Sequence, residues 1–157
     1  MSSWQLGTIR QAEELEPILA IEQRSFRWPW GRLSFEGELS CQNACNYIVK
    51  SGANGAGDQV IAYAFFRRAA DELHLLKIAV SPAWRGRGIA TRLLERCFAI
   101  SAKQGATSVH LEVRPSNTPA IELYLKLGFE VIGRRYKYYA ETKEDAILMI
   151  KNLKEEL

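Results

Sequence analysis

Three features are scarce in this 157-residue chain, and each scarcity excludes something. Cysteine is limited to Cys41, Cys45 and Cys97, an odd count with no C-x-x-C pair. That pattern fits free, buried or neutral thiols in a reducing compartment rather than a disulfide framework. The two histidines, His74 and His110, stand far from the cysteines and lack a metal-ligand spacing, so no zinc site or other metal is expected. Long apolar runs are missing as well. The longest, Val60 to Phe66, falls far short of the roughly 20 residues that a membrane span needs. With no signal-peptide pattern at the start, the expectation is a cytoplasmic protein without membrane contact. Charge of one sign is also absent: 21 Lys and Arg face 18 Asp and Glu. That excess is too mild to demand nucleic acid, although a local basic patch can still serve an anionic ligand.

What is present is ordinary globular material, 47 % apolar and 25 % charged. The length suits a single domain spanning residues 1–157. Periodicity predicts a strand over Gln5–Arg10, a helix from Ala12 to about Ser25, and a short helix over Ser34–Ser40. Trp28-Pro29-Trp30-Gly31 separates the two helices. Strands follow at Tyr47–Val49, Val60–Phe66 and Leu73–Val80, the first two joined by a Gly-rich loop, Ser51–Asp58. Ile89, Leu93, Cys97 and Ile100 mark one face of a helix from Gly88 to Gln104, with Gly105 as its C-terminal cap. A strand at Val109–Val113, a helix at Thr118–Leu127 and strands at Phe129–Gly133 and Ala146–Ile150 complete the chain. The fold class is α/β, one mixed sheet flanked by helices.

Ile78-Ala79-Val80 leads through Ser81-Pro82-Ala83-Trp84 into Arg85-Gly86-Arg87-Gly88-Ile89-Ala90-Thr91. A strand thus runs into a glycine turn that opens a long helix. Glycines allow backbone N–H groups to approach a ligand, and a helix N-terminus adds unpaired donors and a positive dipole end. Such a turn suits a pyrophosphate, but a plain strand-to-helix turn with solvated arginines fits a G-x-G equally well. A P-loop is excluded, because no Lys-Ser or Lys-Thr follows either glycine. A dinucleotide fingerprint is a rival, with Glu112 placed 26 residues after Gly86. Thr91 at the third glycine position and the spacer Ser81–Arg85 count against it.

Further on, Asn117 is a good N-cap and Pro119 is tolerated in the first turn of its helix. Asn117, Ala120, Ile121 and Tyr124 share a helix face by their i, i+3, i+4, i+7 spacing. Glu112 ends an apolar strand that feeds this helix, where a carboxylate needs solvent, a partner or a substrate. Taken alone, Glu112 also fits a surface acid and Tyr124 a packed core tyrosine.

Arg85-Gly86-Arg87-Gly88-Ile89-Ala90 fits R/Q-x-x-G-x-G/A, and on it the chain resembles the GNAT (Gcn5-related N-acetyltransferase) superfamily. Leu111-Glu112-Val113-Arg114, Ser116-Asn117, Ala120-Ile121, Leu123-Tyr124, Leu127-Gly128-Phe129, Arg134-Arg135 and Glu144-Asp145-Ala146-Ile147 resemble its bacterial RimI branch more narrowly. Ile21-Glu22-Gln23-Arg24 and Pro29-Trp30 extend that similarity to the N-terminal region. The resemblance implies the GNAT fold and acetyl-coenzyme A as cosubstrate. It also implies a protein acceptor: the N-terminal α-amine of a small-subunit ribosomal protein that begins with alanine. Carried over by position, Ile78, Ala79 and Val80 pair with the pantetheine arm, and Gly86, Arg87, Gly88, Ile89, Ala90 and Thr91 cradle the pyrophosphate with Arg85 beside them. Asn117 contacts the cosubstrate, Glu112 is the general base, and Tyr124 protonates the departing thiolate. Tyr138 and Tyr139 fall in a loop that helps hold the acceptor peptide.

The chemistry agrees with these roles. Attack of an amine on a thioester needs positioning, carbonyl polarisation and proton management. A carboxylate in a partly apolar site, its pKa raised toward roughly 6–7, is the expected base; the resemblance makes Glu72 the runner-up, because other GNAT branches use the strand that it begins. Acetylation of lysine or a small amine stays open as an alternative acceptor chemistry. So does a ribosome- or RNA-binding surface built on Arg134-Arg135-Tyr136-Lys137-Tyr138-Tyr139, although a solvated strand end explains that stretch more simply.

Overall fold

A computed structural model describes residues 3–52 and 58–153. The elements in chain order are β1 (Trp4–Thr8), a 3-10 turn (Ala12–Leu15), α1 (Glu16–Ser25), α2 (Arg32–Ser40), β2 (Ala44–Ser51), β3 (Gln59–Ala69) and β4 (Glu72–Val80). After a second 3-10 turn (Pro82–Trp84) come α3 (Ile89–Lys103), β5 (Ser108–Val113), α4 (Thr118–Lys126), β6 (Glu130–Arg135) and β7 (Ala146–Asn152). The order is the one that periodicity predicts, with differences at the ends. The first helix is α-helical only from Glu16, because Pro17 lacks an N–H and suits a first turn better than an interior. Strands β2 and β3 are longer than their apolar runs, and most of the expected Ser51–Asp58 loop lies outside the described residues.

The seven strands form one sheet in the order β1-β2-β3-β4-β5-β7-β6. Every pairing is antiparallel except β4 with β5. A parallel pair needs a crossover, and α3 supplies it. The β4–β5 ladder is short: Glu72, Leu73 and His74 pair with Ser108, Val109 and His110. In β4, Leu76 is an extra residue between Lys77, opposite Phe65, and Leu75, opposite Phe66. Such a bulge bends a strand and increases its twist. Beyond it, β4 stays with β3 while β5 stays with β7. The sheet therefore opens into a wedge.

Two apolar layers cover the sheet. Leu93, Leu94, Cys97 and Phe98 of α3 pack with Leu73, Leu75, Val109 and Leu111 on one face. Leu15, Ile18, Ile21 and Phe35 from the α1–α2 side pack on Ile48, Tyr63, Phe65 and Ala79 on the other. Lying between both layers, β3 is buried continuously from Ile61 to Phe66, which explains its unbroken apolar run. The alternation of β4 and β5 follows. Leu73, Leu75, Leu111 and Val113 face α3, so His74 and Glu112 face the opposite side, next to α1. Gly105 (φ 98°) and Gly128 (φ 97°) end α3 and α4 in the left-handed conformation expected of such caps. All three cysteines are free thiols, and burial pushes Cys97 up to about 12. Among the described residues, no helix is long and apolar enough to cross a membrane.

Candidate active site

The wedge collects most of the candidate residues. From Leu75 to Val80, β4 pairs only with β3, so its other edge offers N–H and C=O groups to an extended ligand. Ile78 and Val80 pack against the α3 layer and Ala79 against the α1 layer, which fixes this edge in place. The Val80 carbonyl is partly engaged already, accepting from Arg85 Nε at 2.9 Å.

The turn beyond β4 has the geometry its sequence suggests. Gly86 (φ 77°) and Gly88 (φ 74°) are both left-handed, and a Cβ on either would meet no heavy atom within 4 Å. Backbone conformation, not crowding, therefore requires glycine here, and the space above the turn is clear. Gly88 is the N-cap of α3 and no side chain caps it. The first helical bond runs from the Arg92 N–H to the Gly88 carbonyl at 3.1 Å. Ile89, Ala90 and Thr91 thus present first-turn N–H donors at the positive end of the helix dipole, an arrangement suited to phosphate. Arg85 and Arg87 stand beside it but fold back. Arg85 also donates to Ser25 Oγ at 2.9 Å, while Arg87 donates to the Ala83 carbonyl at 3.3 Å and lies 4.6 Å from the Trp84 ring. Both brace the turn while adding positive charge to it.

Across the wedge, Glu112 is largely buried and its Oε2 lies 2.5 Å from Nε2 of His74. This pairing corrects the expectation of a raised carboxylate pKa. The hydrogen bond from His74 holds Glu112 below the usual carboxylate range, against the opposing effect of burial, and the Arg135 charge adds to it. Glu72, the runner-up base, sits at the closed end of the wedge, paired with Ser108 and mostly exposed. It is about 13 Å along the strands from the level of Glu112, by the strand rise.

Asn117 caps α4 as expected, its side chain accepting from the Ala120 N–H at 3.3 Å. Two turns on, Tyr124 is buried, its ring 5.6 Å from that of Phe129. Burial pushes its phenol above the ordinary tyrosine value, with a further contribution from Tyr139. Tyr139 in turn is pushed up to about 12, mainly by burial, and Glu112 is among the charges that raise it. The tyrosine of the β6–β7 loop therefore lies within electrostatic reach of both Glu112 and Tyr124. Tyr138 stacks edge-on against Tyr139 at 5.0 Å and is more exposed.

Arg114 binds this loop to the rest of the site. Its guanidinium lies 3.9 Å from the Tyr139 ring and 5.0 Å from Trp28 in the α1–α2 loop, and it donates to Glu141 at 3.0 Å and Thr142 at 2.9 Å. Ser116 adds two hydrogen bonds to Glu144. The basic and aromatic stretch after β6 is occupied within itself: Arg135 lies 5.5 Å from the Tyr138 ring and Lys137 5.1 Å from Tyr136.

An open strand edge, a glycine turn at a helix N-terminus and a carboxylate–tyrosine wall thus meet around one wedge. A model of the Acetyltransferase (GNAT) family matches residues 15–129. The chain belongs to the GNAT acetyltransferase family. It is 35 % identical over 144 residues to the [ribosomal protein bS18]-alanine N-acetyltransferase of Salmonella typhimurium, a match covering 90 % of this chain and 93 % of that protein. The crystal structure of the ribosomal-protein-S18-alanine N-acetyltransferase from Escherichia coli matches with a TM-score of 0.84 at 31 % identity, covering 96 % of this chain and 94 % of that one. An uncharacterised Mycobacterium leprae protein is 40 % identical over 150 residues, but the match spans only 39 % of its length.

Sequence reasoning missed three features of this GNAT acetyltransferase's site. His74 was considered only as a metal ligand, and pairing it with Glu112 requires the parallel register of β4 and β5. Glu22 is buried and accepts from Tyr63 Oη at 2.5 Å, the Trp30 N–H at 2.8 Å and Lys77 Nζ at 2.8 Å. Its place on the apolar stripe of α1 was the available signal. Arg114 stands in the run Leu111-Glu112-Val113-Arg114 that carries the resemblance, but no spacing rule links it to the two loops, 86 and 25 residues away, that it joins.

Proposed function

We propose that this protein transfers the acetyl group of acetyl-coenzyme A to the N-terminal α-amine of a protein. The acceptor we infer is a small-subunit ribosomal protein beginning with alanine, bS18, modified in the cytoplasm by this one domain. The observation that carries the reading is the pairing of an open β4 edge with a left-handed glycine turn on one side of the wedge and Glu112 on the other. Pantetheine extends along Ile78, Ala79 and Val80, and the pyrophosphate meets the turn from Gly86 to Thr91, beside Arg85 and Arg87. Asn117 contacts the cosubstrate from the cap of α4.

The acceptor enters from the α1 side, between the α1–α2 loop and the β6–β7 loop that Arg114 holds together, with Tyr138 and Tyr139 against the peptide. An α-amine has a pKa of about 7.7–8.0 and a lysine about 10.4. Near pH 7.5 roughly a quarter of the former is neutral, against about a thousandth of the latter, so an α-amine needs little help to become a nucleophile. The ammonium proton is taken up on the Glu112 side of the wedge, where that carboxylate serves the base, and the amine attacks the thioester carbonyl polarised by the β4 backbone. Tyr124, kept protonated by burial, donates to the sulfur as the thiolate departs.

Mass spectrometry of ribosomal-protein N-termini, in cells with and without this protein, tests the acceptor. Acetylation of an alanine-leading small-subunit protein should disappear with the gene. An unchanged N-terminal profile would contradict the assignment.

A further inference from the structure

The base in this site is not a lone carboxylate. Glu112 Oε2 and His74 Nε2 are 2.5 Å apart, and the two side chains differ in surroundings: Glu112 is 14 % exposed and His74 40 %. The fold forces the encounter. His74 occupies the last paired rung of β4 and Glu112 lies two residues beyond that rung on β5, so both project from the same face where the wedge opens.

We propose that His74 and Glu112 form a single proton-accepting unit, in which the imidazole of His74 holds the proton released by the acceptor ammonium. The proposal rests on the acetyl-transfer reading above. An ionised carboxylate can only accept, so Nε2 carries the hydrogen of the 2.5 Å contact and Nδ1 keeps a free lone pair. The ammonium N–H bond breaks, its electron pair stays on nitrogen, and the proton goes to Nδ1, giving an imidazolium–carboxylate pair. The neutral amine attacks the thioester. Its second proton leaves as the intermediate collapses and ends on the departing sulfur, and the imidazolium returns its proton to water through its exposed edge.

Magnitudes favour the imidazole. A carboxylate near 4.3 lies more than three units below an α-amine, so the proton would rest on it less than about once in a thousand. An imidazole near 6.5 lies little more than one unit below, about once in 15 to 30. Glu112, held low by His74, is poorer still as a resting place but well suited to orient the ring and stabilise its charge. The other charged neighbours are Arg135 and His110, which favour the ionised Glu112, Tyr139 beside it, and Glu72, 3.8 Å from His110.

The test uses the purified protein, acetyl-coenzyme A and an alanine-leading peptide, with kcat/KM measured from pH 5.5 to 9. His74→Gln keeps a donor for Glu112 but cannot take a proton. It should lower kcat/KM roughly 10²-fold at pH 7, with the deficit shrinking toward pH 9 and the KM for acetyl-coenzyme A unchanged. Circular dichroism checks the fold. His74→Gln with wild-type rate and pH profile, or a deficit of constant size across the range, overturns the proposal and leaves the acetyl-transfer reading standing. A wild-type protein that leaves the peptide unmodified at every pH overturns both. NMR at fixed pH adds a readout free of turnover: the Nε2–H resonance of His74, whose nitrogen lies 2.5 Å from Glu112 Oε2, should move in Glu112→Gln, and an unchanged resonance would overturn the pairing.

Discussion

Lys77 Nζ lies 2.8 Å from a carboxylate oxygen of Glu22, and Glu22 has no solvent exposure at all. The ammonium also lies 3.7 Å from the Phe26 ring and 5.1 Å from Trp30. Burial lowers the Lys77 pKa, while the Glu22 charge and hydrogen bond act the other way. This cluster joins α1, β3, β4 and the α1–α2 loop on the α1 side of the sheet. A buried ion pair is weak evidence for stability in itself, but removing one partner strands the other charge.

Lys77→Met should therefore cost about 3–5 kcal/mol in urea unfolding, because Glu22 keeps only the Tyr63 and Trp30 donors. The double variant Glu22→Gln with Lys77→Met should recover part of that loss. A single variant within 1 kcal/mol of wild type, on the order of a surface substitution, would show that the pair has no structural weight.

Gly88→Ala separates conformation from crowding. Nothing lies within 4 Å of an added Cβ, but φ is 74°, so the expected cost is the left-handed penalty of about 1–2 kcal/mol. If the turn cradles phosphate, calorimetry should also show weaker acetyl-coenzyme A binding. Unchanged affinity would remove this backbone from the cosubstrate site.

Acid stability follows from Glu112. Its folded pKa is lowered, first by the hydrogen bond from His74, so the unfolded chain takes up the proton first as pH falls. The contribution is complete above the unfolded value near 4.3 and is lost as pH drops through the folded one. From pH 5 to 3, wild type should thus lose more stability than Glu112→Gln. Parallel losses in urea titrations would remove the His74–Glu112 bond from the stability account.

Tyr124→Phe removes a phenol that burial keeps protonated beyond the ordinary tyrosine range. It should lower kcat by roughly 10²-fold at every pH between 7 and 9, because the defect lies at thiolate departure rather than amine deprotonation. A deficit that vanishes at pH 9 would transfer Tyr124 to the acceptor side.

Local chemistry made much of this legible. The Gly86–Gly88 turn, the Asn117 cap and the order of elements depend on short-range rules, and all three stand as expected. Pairings across the sheet were less accessible. His74 and Glu112 are 38 residues apart and meet only through a three-residue parallel ladder. Glu112 therefore looked like a carboxylate raised by burial, when a hydrogen bond from an unforeseen partner decides the opposite direction. Arg85 and Arg87 read as two charges at the pyrophosphate turn, and acceptors at Val80, Ser25 and Ala83 each take one of their N–H groups. No periodicity encodes such capture.

The most direct measurement gives the purified protein acetyl-coenzyme A and a peptide that begins with alanine and carries an internal lysine. Fragment spectra then locate the acetyl group. The neutral fractions at pH 7.5 alone favour the α-amine by about two hundredfold. The account predicts acetylation at the N-terminus and an essentially unmodified lysine, with no product from a peptide already blocked at its N-terminus. Most of the acetyl on lysine would contradict it.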